Sequence, residues 1–373
     1  MVLYAVAAAD LHAAVYPMPA PGDSVIGEIT TELGDPQDTL SDVARRHNLG
    51  WDAIRHANPD IDAWMTPKGV TVVLPTQFVL PAATPREGLV LNLAEMRVYY
   101  YPPAKAGQAR EVITYPASIG RMDWRTPLGA TRVVRKQKDP VWNPPASIKR
   151  EHAEKGDILP DSVPAGEDNP LGEYALYLGH SGYLIHGTNR PYGIGMRVTH
   201  GCVRLYPEDV EDLFHRVPVG MKVLIVDEPF KAGWLDDTLY LEAHPKFNEE
   251  ETEQRTDISP VRQVIMDAVK GQTHSEIEWS EIELIARENA GVPIATSVKR
   301  QRTTTPGAVI PTGTSASPHL APPPTGQSAA PPPRAPSSGQ RAYPAPAPTQ
   351  SPTGRSIWQL DPWGPGQAPR PAR

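Results

Sequence analysis

Between residues 88 and 227 the apolar residues come in short runs, broken by Gly, Pro and Asp. Runs this short, rich in β-branched and aromatic residues and bounded by turn formers, predict strands. LVLNL and MRVYYY read as two strands around a turn at Ala94 and Glu95, followed by EVITYPASI, ATRVVRK, YALYLG, GYLIHG and MKVLIV. Only PEDVEDLFHRV, at 207–217, carries clear helical spacing. Many short strands with one helix predict a mainly β domain over 88–227, a sandwich or barrel-like arrangement of sheets.

The pattern changes on both sides. In residues 25–80, Leu40, Val43 and Ala44 share one helical face, with Asp38 or Thr39 placed to cap it and Gly50 to stop it. WDAIRHAN predicts a second short helix ending at Asn58 and Pro59, and TVVLP at 71–75 a strand, so this part is a small α+β domain. Residues 228–300 hold two helical patterns, one opened by Ser259 and Pro260 and one closed by Gly291 and Pro293, and read as a helical C-terminal extension. Their acidic residues read as a solvated helix face, because no His stands at ligand spacing. Residues 301–373 are dominated by Pro, Ala, Ser and Thr, which cannot bury enough apolar surface to offset chain entropy, and predict a disordered tail. Trp358 and Trp363 near its end read either as a short docking motif or as nothing. Residues 1–24 read either as a secretory signal or as a strand-like or disordered N-terminus. An apolar stretch from Val2 to Ala9 is present, but no Lys or Arg precedes it.

Composition narrows the classes. With 36 Lys and Arg against 43 Asp and Glu the net charge is −7, which argues against a nucleic-acid scaffold or a polybasic membrane-surface binder. No apolar run approaches the roughly 18 to 20 residues that a membrane-spanning helix needs. One cysteine excludes an internal disulfide and is silent about compartment.

That cysteine, Cys202, is also the centre of the candidate chemistry. It lies in YLIHGTNRPYGIGMRVTHGCVRL, with His186 sixteen residues upstream at the end of an apolar run. The thiolate is the reactive form of cysteine, and an imidazole nearby can take the thiol proton and return it to a leaving group. A lone cysteine is often only a small buried apolar residue. Here Thr199, His200, Gly201 and Arg204 surround it with polar, glycine-hinged and cationic groups, which favours a thiolate over an inert core thiol. Gly187, Gly193 and Gly195 let backbone pass close to a substrate. A zinc site is the least favoured reading, given the single Cys and the lack of paired His spacing, so no metal and no cofactor is expected.

The order HGT, a glycine-containing loop, then THGCVR resembles the signature of the L,D-transpeptidase (YkuD-type) catalytic domain. The segments 88–103, 118–133 and 163–179 agree with it, and the resemblance, to the periplasmic Gram-negative subfamily with an N-terminal LysM-like domain, runs from about residue 25 to about 297. It implies that Cys202 attacks the carbonyl of the third residue of a peptidoglycan stem peptide, meso-diaminopimelate, and expels D-Ala. His186 would be the base, and backbone N–H groups around Gly201 and Cys202 the oxyanion donors. Thr199, His200 and Gly187 would line the site. Gly187 stands where some relatives carry a serine, so a backbone carbonyl rather than a side chain would orient His186. Arg204 is open between an anchor for a substrate carboxylate and a structural salt bridge. The implied partners are stem peptides and glycan, the latter through the LysM-like 25–80, with periplasmic localisation. The implied acceptor is the amine of another stem peptide, the C-terminal Lys of an outer-membrane lipoprotein, a D-amino acid or water. The alternatives are an L,D-carboxypeptidase or other wall-peptide hydrolase using the same Cys and His, and a non-catalytic wall-binding protein. In NlpC/P60-type hydrolases the Cys precedes the His, the reverse of the order here.

Overall fold

The computed structural model describes residues 13–83, 85–121, 124–245 and 257–301. The expectations for residues 1–12 and for the tail after Gln301, with Trp358 and Trp363, lie outside them. In chain order, β1 (Ala14–Pro17), β2 (Val25–Gly27) and β3 (Thr30–Leu33) precede two short helices, α1 (Leu40–Arg46) and α2 (Trp51–Ala57), and β4 (Thr71–Leu74) and β5 (Gln77–Val79) follow. Then come β6 (Gly88–Asn92), β7 (Arg97–Tyr101), β8 (Glu111–Pro116), β9 (Ile119–Gly120) and β10 (Gly129–Lys138), and α3 (Ala146–Glu154). β11 (Tyr174–Leu178), β12 (Leu184–His186), β13 (Arg197–Thr199) and β14 (Val203–Arg204) lead to α4 (Pro207–Arg216) and β15 (Lys222–Val226). The chain continues through β16 (Phe230–Leu235), β17 (Thr238–Ala243), α5 (Ser259–Val269), α6 (Trp279–Glu288) and β18 (Pro293–Lys299).

The mainly β expectation resolves into one nine-stranded mixed sheet, ordered β1-β8-β7-β6-β15-β10-β11-β12-β14, rather than a sandwich of two. Only the β6–β15 and β12–β14 pairs are parallel. The unbroken apolar runs of β6 and β7 follow from burial on both faces. Leu89, Leu91, Val98 and Tyr100 enter one core with Val210 and Leu213 of α4, while Val90, Tyr99 and Tyr101 enter a second core with Leu40, Val43 and Ile54 of α1 and α2. Side chains alternate across a strand, so each run feeds both cores at once.

Residues 25–80, expected as a small α+β domain, thus share their core with the back of the main sheet. Polar contacts seal the same junction: Arg45 forms a two-pronged ion pair with Glu208 at 2.8 and 2.9 Å, and the Tyr206 hydroxyl donates to Leu49 O. Backbone meets backbone where Trp51 N–H donates to Ile194 O at 2.8 Å. Gly195, at φ +87°, lies so near Gly50 that an added Cβ would come within 2.3 Å of the Gly50 Cα. Gly195→Ala should therefore lower the melting temperature by about 4 °C or more, from combined overlap and backbone strain. A variant melting within 1 °C of the parent in scanning calorimetry would refute that close approach.

Three further readings are corrected. Residues 228–300 are not simply helical: β16, β17 and β18 form a three-stranded antiparallel sheet, and α5 and α6 pack on it through Val261, Ile265, Ile282 and Ile285. The boundary at residue 24 cuts through structure, since β1 is the edge strand of the main sheet, Val15 paired with Ile113, and Ala13 is buried in its core. Finally, α4 is not the one helix between 88 and 227. α3 buries no residue, so its sequence had no apolar stripe to show. At the other helices the details settle locally. Thr39, not Asp38, caps α1 in a reciprocal capping box with Asp42, and Gly50 starts α2 instead of ending α1. Ser259 is the first residue of α5 rather than its cap.

Candidate active site

The parallel pairing of β12 with β14 places Ile185 beside Val203 and His186 beside Arg204. Ile185 and Val203 are both buried in the main core. Because alternate residues face opposite sides, His186, Arg204 and the preceding Cys202 lie on the other face, with His186 and Cys202 as diagonal neighbours on adjacent chains. The turn that presents Cys202 is held by one local and one distant threonine. The Thr199 hydroxyl donates to Cys202 O at 2.6 Å, and Thr126 Oγ1 donates to Gly201 O at 2.8 Å. Gly201 sits at φ +98°, and a Cβ there would come within 2.7 Å of the Tyr183 ring. Only glycine fits that position without strain. Two backbone hydrogen bonds between Ser118 and Arg204 hold the following residue in place.

His186 is buried, and its Nδ1 lies 2.7 Å from Gly187 O. A carbonyl only accepts, so Nδ1 carries the hydrogen and Nε2 is left as the basic nitrogen. Burial, reinforced by the Arg204 guanidinium, pushes the imidazole down to about 3, against the pull of the Gly187 and Leu171 carbonyls. Cys202 is half-buried, and its thiol faces Gly182 O at 3.7 Å. Burial raises the thiol above its ordinary value, with the Leu184 backbone and Arg204 opposing. No hydrogen bond joins Cys202 directly to His186 among the described residues. The resting pair is thus a neutral thiol and a neutral imidazole rather than a preformed ion pair.

The remaining site residues divide clearly. Arg204 has no acidic partner among the described residues, and its Nε is buried without a hydrogen bond, which removes the salt-bridge alternative. A second cation, Arg190, disfavours its charge, while a thiolate at Cys202 would favour it. His200 turns away to Glu151 of α3, Nε2 to Oε2 at 2.8 Å, with its ring edge-on to Trp124. Thr199 spends its hydroxyl on the turn, and also accepts the Gly201 N–H at 3.2 Å. The Gly201 N–H, expected as an oxyanion donor, is thus directed at a hydroxyl of the turn in this structure. The Cys202 N–H is the one left without an acceptor among the described residues. Gly187 contributes its carbonyl, and a Cβ on it would press on Val210 at 3.0 Å.

Sequence reasoning gave no role to Thr126, Ser118 or Glu151. Thr126 stood in a quoted segment, but nothing in a linear pattern says that its hydroxyl reaches a carbonyl 75 residues away. One buried cluster, Glu95, Glu242 and His244, has ligand-like spacing, yet Lys231 Nζ lies among them, 2.8 Å from Glu95 and 2.9 Å from Glu242. Burial alone would raise the Glu242 carboxyl, but Lys231 and His244 hold it below its ordinary value. The cluster is an ion-paired joint between the main sheet and the C-terminal sheet, with Lys231 bridging the two carboxylates.

Comparison with known proteins agrees with this geometry. The YkuD family, described as an L,D-transpeptidase catalytic domain, matches residues 86–225. The chain is 40% identical over 293 residues to a Salmonella typhimurium protein named "Probable L,D-transpeptidase ErfK/SrfK", covering 76% of this chain and 92% of that one. It is 39% identical over 290 residues to "Probable L,D-transpeptidase YbiS" of Escherichia coli K12, with the same coverage. Against "Probable L,D-transpeptidase YcfS" of the same organism the figures are 41% over 223 residues, 58% of this chain and 68% of that one. No helix among the described residues is long and apolar enough to cross a membrane. With the HGT and THGCVR segments meeting on one face of the sheet inside the matched region, and with identity extending far beyond it, the chain belongs to the L,D-transpeptidase family of enzymes.

Proposed function

We propose that this protein transfers a peptidoglycan stem peptide through an acyl-enzyme on Cys202. The thiolate attacks the diaminopimelate carbonyl of a tetrapeptide stem, the C–N bond to D-Ala breaks, and a thioester to Sγ remains. Nε2 of His186 takes the thiol proton and delivers it to the departing amine, then removes a proton from the acceptor amine that resolves the thioester. The Cys202 N–H meets the charge that develops on the carbonyl oxygen. The single observation carrying this reading is the face shared by Cys202, a Gly187-oriented His186 and an Arg204 with no anionic partner among the described residues.

Arg204 does two things in this scheme. As a cation beside both groups it disfavours imidazolium and favours thiolate, and its free donors suit a substrate carboxylate. Proton transfer then belongs with nucleophilic attack, when the developing oxyanion replaces the bare thiolate as the bearer of charge. Enzyme and wall polymer meet in the periplasm on this reading. Residues 25–80 support a glycan-binding LysM-like role through two helices between the paired β3 and β4, and through Trp64, exposed and set against Trp51 at 5.6 Å with the rings tilted by 42°.

The test is to incubate the purified protein with tetrapeptide muropeptides, a lipoprotein peptide ending in Lys, or both, and to identify products by mass spectrometry. Release of D-Ala with an acyl-linked amine product is expected. Tripeptide alone would make the protein the carboxypeptidase of the alternative reading, and release of no D-Ala would overturn the proposal.

A further inference from the structure

We propose that Glu151 is a positioning residue, which docks α3 against the nucleophile turn and thereby sets the aim of Cys202. This rests on the reading of Cys202 as nucleophile. One carboxylate binds both sides of the turn's support: Glu151 Oε2 accepts from Arg121 at 2.6 Å and from His200 Nε2 at 2.8 Å, while Oε1 accepts from Lys155. Arg121 and His200 converge on the same short stretch. The Arg121 N–H donates to Thr199 O, and His200 stands two residues before Cys202.

The helix that carries Glu151 has little else to hold it there. α3 buries none of its residues and has no side-chain cap at its N-terminus, where Pro145 stands. Its other side-chain ties, Lys149 to Asp161 and His152 to Asp157, run to the segment that follows it. Among the described residues, Glu151 alone links the side chains of α3 to the turn. Apolar burial, which usually fixes a helix, contributes little here, so two charge-assisted hydrogen bonds carry the docking. Burial would raise the Glu151 carboxyl, but Arg121, Lys155 and His200 hold it well below the usual carboxylate range. The carboxylate of this tie is therefore charged at neutral pH. Donating from Nε2 also fixes the His200 tautomer as Nε2–H.

Glu151→Gln in the full chain tests this, since it keeps the size of the side chain and removes the charge. Misplacing a reacting group by about 1 Å can cost on the order of 100-fold, so single-turnover acylation should fall about 10- to 100-fold while KM stays within about threefold. Amide hydrogen exchange over 146–154 should quicken, and iodoacetamide should still alkylate Cys202 at no lower a rate. The double variant Glu151→Gln with His200→Asn should acylate no more slowly than the worse single variant, because both break one tie. Acylation within twofold of the parent, unchanged exchange in α3, or multiplied losses in the double variant would each overturn the proposal. Should Glu151→Gln melt, Glu151→Asp, which keeps the charge but withdraws it by one methylene, must show the same split between acylation rate and KM. A parent protein that never acylates would instead indict the transpeptidase reading, and the exchange and alkylation results would still report on docking.

Discussion

Cys202→Ala protein incubated with a tetrapeptide donor will keep its unmodified mass, whereas the parent will gain one acyl group and release D-Ala. The chain has no second thiol to substitute, and a covalent mechanism without its nucleophile loses at least about 10⁴-fold in rate. Cys202→Ser should acylate only at trace level, because a hydroxyl in a site that already raises the thiol is far harder to ionise. Intact-mass analysis over a time course decides the matter. An adduct of equal amount on Cys202→Ser would move the nucleophile elsewhere.

His186 has the second largest expected effect, and it carries a pH signature. With its imidazole held near 3, the base remains unprotonated down to about pH 4. Parent acylation should therefore change little between pH 7 and pH 5, where a base at the ordinary histidine value would lose roughly 25-fold through protonation. His186→Asn should cost about 10² to 10⁴-fold at pH 7. Its residual rate should climb about tenfold per pH unit toward the raised thiol value, because hydroxide must now do what Nε2 did. His200→Asn should cost only about tenfold, since that ring is spent on Glu151 and acts through the turn. Single-turnover rates against pH, with folding followed by circular dichroism, compare the two. A folded His186→Asn protein acylating at the parent rate would reassign the base.

Both histidines stand in the same linear motif, and their separation shows how far that motif reaches. The β12 run Leu184 to His186 and the glycine before Cys202 are local features, visible because strand alternation and positive φ are enforced by neighbours in the chain. What divides the histidines is long-range. His186 meets Gly187 O and the field of Arg204 across a strand pair, while His200 meets a glutamate 49 residues away. α3 could not be found at all by periodicity, because a helix held by ions rather than by apolar burial leaves no stripe. β16, β17 and β18 were hidden for a different reason. Their short runs flank two strong helical patterns, β16 and β17 before α5 and β18 after α6, and those patterns dominate the reading of 228–300.

By itself the sequence determined the mainly β character of 88–227, the helices α1, α2, α4, α5 and α6 to within a few residues, and the single thiol with its histidine. These follow from interactions within a few residues of each other, where spacing along the chain equals spacing in space. The tertiary structure alone decided that residues 25–80 share a core with the catalytic sheet, that residues 14–17 form its edge, and that Arg204 has no anionic partner among the described residues. It also decided that the nucleophile turn is tied to Thr126 and Glu151. Each of these depends on which apolar face covers which and on which charges burial brings together. Those choices are made by the whole chain collapsing into its cores, and no local pattern records them.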